Sequence, residues 1–328
     1  MENTIKNKLK KTTDIILDVL PNTVKETVLG IKRFTFFKQQ YPPRQLFIQI
    51  IDGRETHGGL ADRLKGIVSA FCLADSKGMQ FKIHHTYPFA LINYLQPNLI
   101  DWRLTPEDKF SSNIFESRIM HITDLGNDII RFSKSNTKKQ FHAYCKGDLL
   151  HSINLELNKN YDWSTVFHKL FKPSIKLQKE IDDHSKIIGG PYISVVFRFQ
   201  NLLADFPEYN YPTLAKSEQK NLIEHCSRAL LKLQKQHINS KILVSSDSVT
   251  FQNSIIALKN IFTFPKKVVH MDYISGENFE VYLKSFLDFY LIANSEKIYS
   301  MGTSIMYKTN FPKYAANLNN IQFERIEI

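Results

Sequence analysis

The stretch Tyr192-Ile193-Ser194-Val195-Val196-Phe197-Arg198-Phe199 decides the fold class. It is rich in β-branched and aromatic residues, nearly uniform in apolarity, and follows the turn Gly189-Gly190-Pro191. A strand apolar on both faces is buried on both faces, as strands of parallel sheets are. Downstream, helices and strands alternate. Residues 217–236 read as a helix with Ser217 as N-cap and Leu222, Ala229, Leu230 and Leu233 on the buried face. Residues 241–245 read as a strand, 251–260 as a helix and 267–270 as a strand. A long helix is expected within 276–295 and a short last strand at 297–300. Short connections between alternating strands and helices mark a doubly wound parallel sheet.

Upstream the pattern recurs. Residues 46–50 read as a strand, and the polar, glycine-containing loop Asp52-Gly53-Arg54-Glu55-Thr56-His57-Gly58-Gly59 follows. Leu60, Leu64, Ile67, Val68 and Phe71 then repeat with helical spacing. After the turn at Lys77-Gly78, residues 81–84 give the next strand. Residues 88–150 are less regular. Helical segments start at Asp162-Trp163-Ser164 and at Pro173-Ser174, a crossover that suits a domain boundary in 160–190. A chain of 328 residues favours two domains. We expect a Rossmann-like domain over 45–185 and a second over 186–328, with ligands taken in the cleft between them.

Residues 1–44 stand apart. Ile5, Leu9, Thr13, Ile16, Leu17 and Leu20 share one helical face, and Pro21 closes it. A second short helix is expected over 23–30, followed by Phe34, Phe36 and Phe37 and by Pro42-Pro43. Nine Lys/Arg against four Asp/Glu give this segment a net charge of +5. One reading is a helix lying on an anionic membrane surface. The other is a helix packed on the body of the fold.

Composition narrows the class. Hydrophobic residues at 43% and charged residues at 23% describe a globular chain and exclude disorder. The net charge of +11 favours anionic partners. It is dispersed and no nucleic-acid-binding signature accompanies it, so no nucleic acid is expected as partner. Cys72, Cys145 and Cys226 are isolated, fit neither a disulfide framework nor a zinc site, and read as buried small hydrophobes. No run reaches the ~18 apolar residues of a membrane span. The N-terminus lacks an apolar signal core. The expected location is cytoplasmic, with peripheral contact at the inner membrane face if the N-terminal helix is used that way.

Open α/β sheets take ligands beyond the C-terminal ends of their strands, and polar groups fall at those ends here. The first is the run His57-Gly58-Gly59-Leu60-Ala61-Asp62-Arg63-Leu64-Lys65-Gly66. Its paired glycines permit close approach to backbone amides, and the helix start at Leu60 offers N–H groups to an anion. Arg63 points either to the cleft or into a salt link with Asp62. The spacing matches neither G-x-G-x-x-G nor the P-loop, and a plain turn explains the glycines equally well. The second is Arg198. A lone arginine near the end of a buried strand requires either a carboxylate partner or an anionic ligand such as pyrophosphate. The third is Ser246-Asp247-Ser248, suited to ribose or base recognition and also to helix capping. His270 and Asp272 flank Met271 at a strand end. Gly302, Thr303 and Ser304 lead toward a helix start where phosphate docks. No metal-ligand spacing and no nucleophile elbow are present.

These four ordered elements resemble the superfamily of metal-independent fucosyltransferases, which includes the bacterial alpha-1,2- and alpha-1,6-fucosyltransferases and the protein O-fucosyltransferases. The 57–66 run is similar to the family's N-terminal glycine-rich loop. Val196-Phe197-Arg198 lies where the family has His-x-Arg, its arginine holding the donor pyrophosphate. Residues 244–248 are similar to the strand ending in Ser/Thr-Asp near the nucleoside. Residues 301–316, ending in Ala315-Ala316, are similar to the final element. The similarity spans about residues 46–316. Val196 departs from the histidine, and Phe199-Gln200 departs from the Arg-Gly-Asp-like continuation, so Arg198 is what remains of that element.

The resemblance implies a GT-B fold of two Rossmann-like domains and inverting transfer of fucose from GDP-fucose to a glycan hydroxyl. It implies no metal and no cofactor beyond the nucleotide sugar. It also implies a bacterial setting in polysaccharide biosynthesis. Arg198 then stabilises the leaving diphosphate. Gly58, Gly59, Arg63, Ser246, Asp247, Ser248, His270, Asp272, Gly302, Thr303 and Ser304 line the donor, and His57 and Asp62 are the candidate bases. The rival readings are a relative that binds a glycan or nucleotide without turnover, and a basic protein acting at a membrane surface.

Overall fold

The computed structural model describes residues 21–35, 45–123, 126–206, 212–272 and 278–328. The amphipathic helix expected within residues 5–20, with its membrane-surface reading, lies outside the described residues. So do Phe36-Phe37, Pro42-Pro43 and Gly276. The chain divides into two compact units. One runs up to Lys172 and includes Met271 and Asp272, and the other comprises Pro173–His270 and Asn278–Ile328.

The first unit carries α1 (Asn22–Arg33), β1 (Leu46–Ile51), α2 (Leu60–Ser76), β2 (Gln80–His85), β3 (Leu95–Pro97), β4 (Ser117–Ile122), α3 (Gly126–Ser133), β5 (Gln140–Cys145), α4 (Leu150–Glu156) and α5 (Trp163–Leu170). A short β6 (Phe171–Pro173) pairs with β3 at the end of this unit. Its main sheet has the order β2-β1-β5-β4, every pair parallel. All six residues of β1 and all six of β5 are buried. Helix α2 presses its backbone onto β5. A Cβ built at Gly66 would lie 2.0 Å from the Cys145 carbonyl oxygen, so only glycine fits.

The second unit carries α6 (Ile175–Ile188), β7 (Tyr192–Phe197), α7 (Lys216–Gln236), β8 (Lys241–Ser246), α8 (Val249–Ile255), β9 (Ile261–Phe262), α9 (Phe279–Ala293), β10 (Lys297–Gly302), α10 (Phe311–Asn319) and β11 (Gln322–Glu327). The order is β11-β10-β7-β8-β9, again wholly parallel. In this Rossmann-type order β7 is central and all its side chains are buried, which explains its uniform apolarity. Each large apolar side chain buried there contributes roughly 1.5–3 kcal/mol relative to exposure. Val195, Phe197, Leu230, Ile242, Val244 and Phe251 belong to the core of this unit. Two parallel sheets, each flanked by helices, make the doubly wound architecture expected.

Several expectations need correction. The strand expected over 192–199 stops at Phe197, which leaves Arg198 and Phe199 in the loop beyond it. Residues 267–270 are not a strand. Ile261 and Phe262 take the place beside β8, leaving no ladder partner for Val268 and Val269. Ser217 is not an N-cap. The helix starts one residue earlier, and the Glu218 carboxylate accepts the Ala215 N–H at 2.9 Å. The helix expected over 251–260 is the shorter Val249–Ile255, capped by Ser248. Helix α6 groups with the second unit, and the units change at Lys172–Pro173, inside the 160–190 crossover. Its Ser174 N-cap and left-handed Gly189 end it as the sequence suggests. The three cysteines are buried free thiols. No helix among the described residues is long and apolar enough to cross a membrane.

Strand order fixes where ligands dock. The chain order reverses between β7 and β10 in the second sheet and between β1 and β5 in the first. The crevice at such a reversal, beyond the strands' C-terminal ends, is the usual ligand position in open α/β sheets.

Candidate functional site

At the reversal in the second unit, Arg198 is the first residue past β7. Its Nη1 lies 3.2 Å from Asp247 Oδ2, and its guanidinium stacks over the Phe206 ring at 4.4 Å. The side chain is 23% exposed while that of Asp247 is 2% exposed. The arginine therefore has a carboxylate partner and still presents donors outward. The Asp247 carboxylate also accepts the Phe199 and Gln200 N–H groups at 2.8 and 2.7 Å. Burial pushes this carboxyl up from its ordinary range, and Arg198 and the two amides pull it back. Asp247 thus shapes the turn after β7 and aims Arg198, which answers the question its sequence position raised.

The neighbouring hydroxyls are mostly committed. Ser246 Oγ accepts the Ser248 N–H at 3.1 Å, and Ser248 Oγ accepts the Phe251 N–H at 3.0 Å while donating to Asp205. Asp205 also accepts from the Thr250 N–H and hydroxyl. Ser245 donates to Asp288, which pairs with the buried Lys284. Across the reversal, Gly302 ends β10, and Thr303 follows. Its Oγ1 is buried without a hydrogen-bond partner among the described residues. Ser304 is exposed. No helix starts at Thr303, because α10 begins only at Phe311. The helix-end phosphate dock expected there is therefore not formed. His270 lies in the loop before Met271, its ring 6.1 Å from Phe206.

In the first unit the edge is denser in charge. Arg63 does not pair with Asp62. Its Nη2 donates to Asp272 Oδ1 at 2.9 Å, with Nε on the Gly58 carbonyl and Nη1 on the Tyr87 carbonyl. Asp62 instead lies 2.5 Å from Lys65 Nζ and is 47% exposed. His57 is buried, and its ring stacks on Tyr144. Gly58 sits at φ +71°, and a Cβ there would meet Asp62 Oδ2 at 2.6 Å, whereas a Cβ at Gly59 would meet nothing. Of the two glycines, only Gly58 is required by backbone conformation.

Beyond β1 lie groups that the motif search did not single out. Asp52 accepts from Arg54 Nη1 at 2.7 Å and from Tyr144 OH at 3.0 Å, with Arg33 Nη1 at 3.4 Å. Glu55 Oε1 meets His121 Nε2 and Lys146 Nζ, each at 2.7 Å. Desolvation would raise the Glu55 carboxyl, but His121 and Lys146 outweigh it and hold the group below its ordinary range. Arg33, Tyr144, His121 and Lys146 come from α1, the end of β5, β4 and the residue after β5. No local spacing joins them. The available signal was the acidic pair within Asp52–Glu55 directly after a buried strand. Among the described residues no group of three or more His, Cys, Asp or Glu is placed to hold a metal ion.

No protein-family profile matches the chain, and no curated protein matches it in sequence. Solved structures do match in fold. A mutant of Arabidopsis thaliana FUT1 in complex with GDP superposes with a TM-score of 0.55 at 11% identity, covering 98% of this chain and 78% of that one. The alpha-1,6-fucosyltransferase NodZ soaked with GDP-fucose gives a TM-score of 0.50 at 12% identity, covering 84% and 93% of the two chains. Fucosyltransferase NodZ from Bradyrhizobium gives 0.51 at 12% identity, covering 83% and 92%. At such identities the likeness speaks for architecture, and that architecture is the GT-B fold of two Rossmann-like domains.

Proposed function

We propose that this chain is an inverting glycosyltransferase that moves fucose from GDP-fucose to a glycan hydroxyl without a metal ion. The second unit is its donor side and the first its acceptor side. The observation that carries the reading is Arg198 at the strand-order reversal, braced by Asp247 and Phe206 yet still partly open. Support comes from the fold shared with proteins whose structures were solved with GDP or GDP-fucose. The order of the motifs read from the sequence points the same way.

In the proposed reaction the acceptor oxygen attacks the anomeric carbon as the bond to the β-phosphate oxygen breaks. Negative charge grows on the departing diphosphate. Arg198 donates to that charge, and Thr303 Oγ1, buried and without a described partner, donates beside it. Ser246, Asp247 and Ser248 serve chiefly to shape the donor side, since their polar atoms are largely spent on one another and on the backbone. The proton from the acceptor goes to Asp62, the accessible member of the candidate base pair, or to the leaving phosphate. His57, buried against Tyr144, acts through the fold of the loop.

Turnover of GDP-fucose with a panel of glycan acceptors tests the reading. Transfer that persists in chelator and disappears in Arg198→Ala supports it. An Asp62→Asn fall of more than about 100-fold in kcat assigns the base, and a fall of only a few-fold assigns that role to the phosphate. Binding of nucleotide with no transfer to any acceptor would favour the non-catalytic relative instead.

A further inference from the structure

Between α6, α9 and the segment after β9, the second unit holds a cavity of about 370 Å³, a volume that suits a small ligand. None of its lining residues is among those assigned to the donor. Part of the wall is apolar. Leu283 and Leu287, one turn apart on α9, are buried, and Phe264 joins them, its ring meeting that of His184 edge-on at 4.5 Å. The polar groups are mostly acceptors. His184 Nδ1 lies 2.7 Å from the Glu180 carbonyl oxygen, which can only accept, so the neutral ring carries its proton there and keeps Nε2 as an acceptor. Thr263 donates its hydroxyl proton to Gln252 Oε1 at 2.9 Å and keeps its lone pairs. Glu180 and Glu280 add carboxylates, of which Glu280 pairs with Lys266. One buried cation also lines the cavity. Lys284, 2% exposed, pairs with Asp288, which in turn accepts the Ser245 hydroxyl. An ammonium has three N–H donors, and Asp288 offers Lys284 two oxygens, which leaves one N–H without an acceptor among the described residues.

A ligand that matches this lining carries several donors, at least one acceptor, an apolar face and no negative charge. A carboxylate or phosphate would meet two carboxylates. A wholly apolar molecule would leave the acceptors and the Lys284 N–H desolvated and unpaired. A pyranose ring supplies each requirement: hydroxyls that donate to carboxylate and imidazole, oxygens that accept from an ammonium, and a face of C–H groups for an aromatic ring. We propose that this cavity binds a sugar ring, with its hydroxyls on Glu180, His184 Nε2 and Lys284 and its C–H face against Phe264. The inference goes beyond the transfer reading and does not depend on it, since the cavity shares no residue with the proposed donor site.

The test is saturation-transfer NMR of the full chain with the methyl glycosides of fucose, galactose, glucose and N-acetylglucosamine. At least one should take up saturation, most strongly at the C–H protons of one ring face. Glu180→Gln should weaken its binding about 10-fold or more, the loss of a hydrogen bond to a charged group. The Glu180 side chain is 34% exposed, so this substitution leaves the fold intact. Phe264→Ala should remove the preference for one ring face. Arg198→Ala should leave the binding unchanged, because Arg198 lies at the proposed donor site. The proposal is overturned if none of the four glycosides binds, or if Glu180→Gln binds as tightly as wild type. It is equally overturned if Arg198→Ala releases the sugar, which would place it at the strand-order reversal. Glycoside binding that Glu180→Gln weakens, in a chain that does not turn over GDP-fucose, would uphold this inference while the transfer reading fails.

Discussion

The two strand-order reversals of this chain are built on the same sheet logic and filled in opposite ways. Beyond β1 and β5, charged groups are mostly buried and paired with one another: Asp52 with Arg33, Tyr144 and Arg54, Glu55 with His121 and Lys146, Asp272 with Arg63 and two amides, although Arg33 Nε and Glu55 Oε2 have no hydrogen-bond partner among the described residues. Beyond β7 and β10, hydroxyls and amides surround three carboxylates, Asp205, Asp247 and Asp288, and the Arg198 guanidinium stays partly open. Buried ion pairs contribute little net stability, because desolvation offsets the attraction, but breaking one leaves an uncompensated charge. The first edge is thus a closed frame that fixes a loop. The second keeps one arginine side chain 23% exposed, within reach of an anionic ligand.

The contrast can be broken most sharply at Arg198. Arg198→Ala should lower kcat for sugar transfer by about 10²–10³-fold, as loss of one preorganised donor to a developing oxyanion does. Arg198→Lys should recover only part of it, since an ammonium lacks the planar fork. A steady-state assay in which Arg198→Ala keeps wild-type kcat would place the donor to the leaving group elsewhere.

Next in size is Glu55→Gln, which removes the charge between His121 and Lys146 and should cost about 3 kcal/mol at neutral pH in denaturant unfolding. The pH dependence has a definite sign. The Glu55 carboxyl is held below its ordinary value of 4.5, so the folded state binds its proton less tightly than the unfolded state. Its contribution is present above pH 4.5 and is lost as pH falls through the lower folded value. Glu55→Gln should therefore flatten the acid limb of the stability profile. An unchanged limb would mean that the frame does not depend on this charge.

Gly66→Ala probes the backbone contact beneath the first edge. The added methyl meets the Cys145 carbonyl oxygen at 2.0 Å, so despite better helix propensity the variant should lose about 2 kcal/mol or more. Smallest is Ser248→Ala, which removes the cap on Phe251 and the hydroxyl on Asp205 at the second edge. It should cost about 1 kcal/mol in thermal unfolding.

What the sequence made legible follows the range of the interactions. Uniformly apolar runs such as 192–197 and the helical spacing after Leu60 made β1, β2, β7, β8 and β10 and the first sheet's leading helix legible, because burial periodicity is local, whereas β4 and β5 within 88–150, and β9 and β11, were not read. Caps at Ser174, Asp162 and Ser248 were legible for the same reason. The β-branched pair Val268-Val269 misled, since β propensity says nothing about whether a ladder position is vacant. Partners were least legible. Arg63 had Asp62 beside it in sequence but takes Asp272, and Arg198 could not be joined to Asp247 until the turn after β7 was seen. The Glu55–His121–Lys146 cluster was wholly illegible, being assembled by tertiary contact from three elements.

The claim that the second reversal is a nucleotide-diphosphate site is tested most directly by calorimetric titration of the full chain with GDP, UDP and CDP. Wild type should bind GDP in preference to the other two, and Arg198→Ala should bind it about 30-fold more weakly, a change of ~2 kcal/mol. Equal indifference to all three nucleotides, or GDP binding that Arg198→Ala leaves intact, would contradict it.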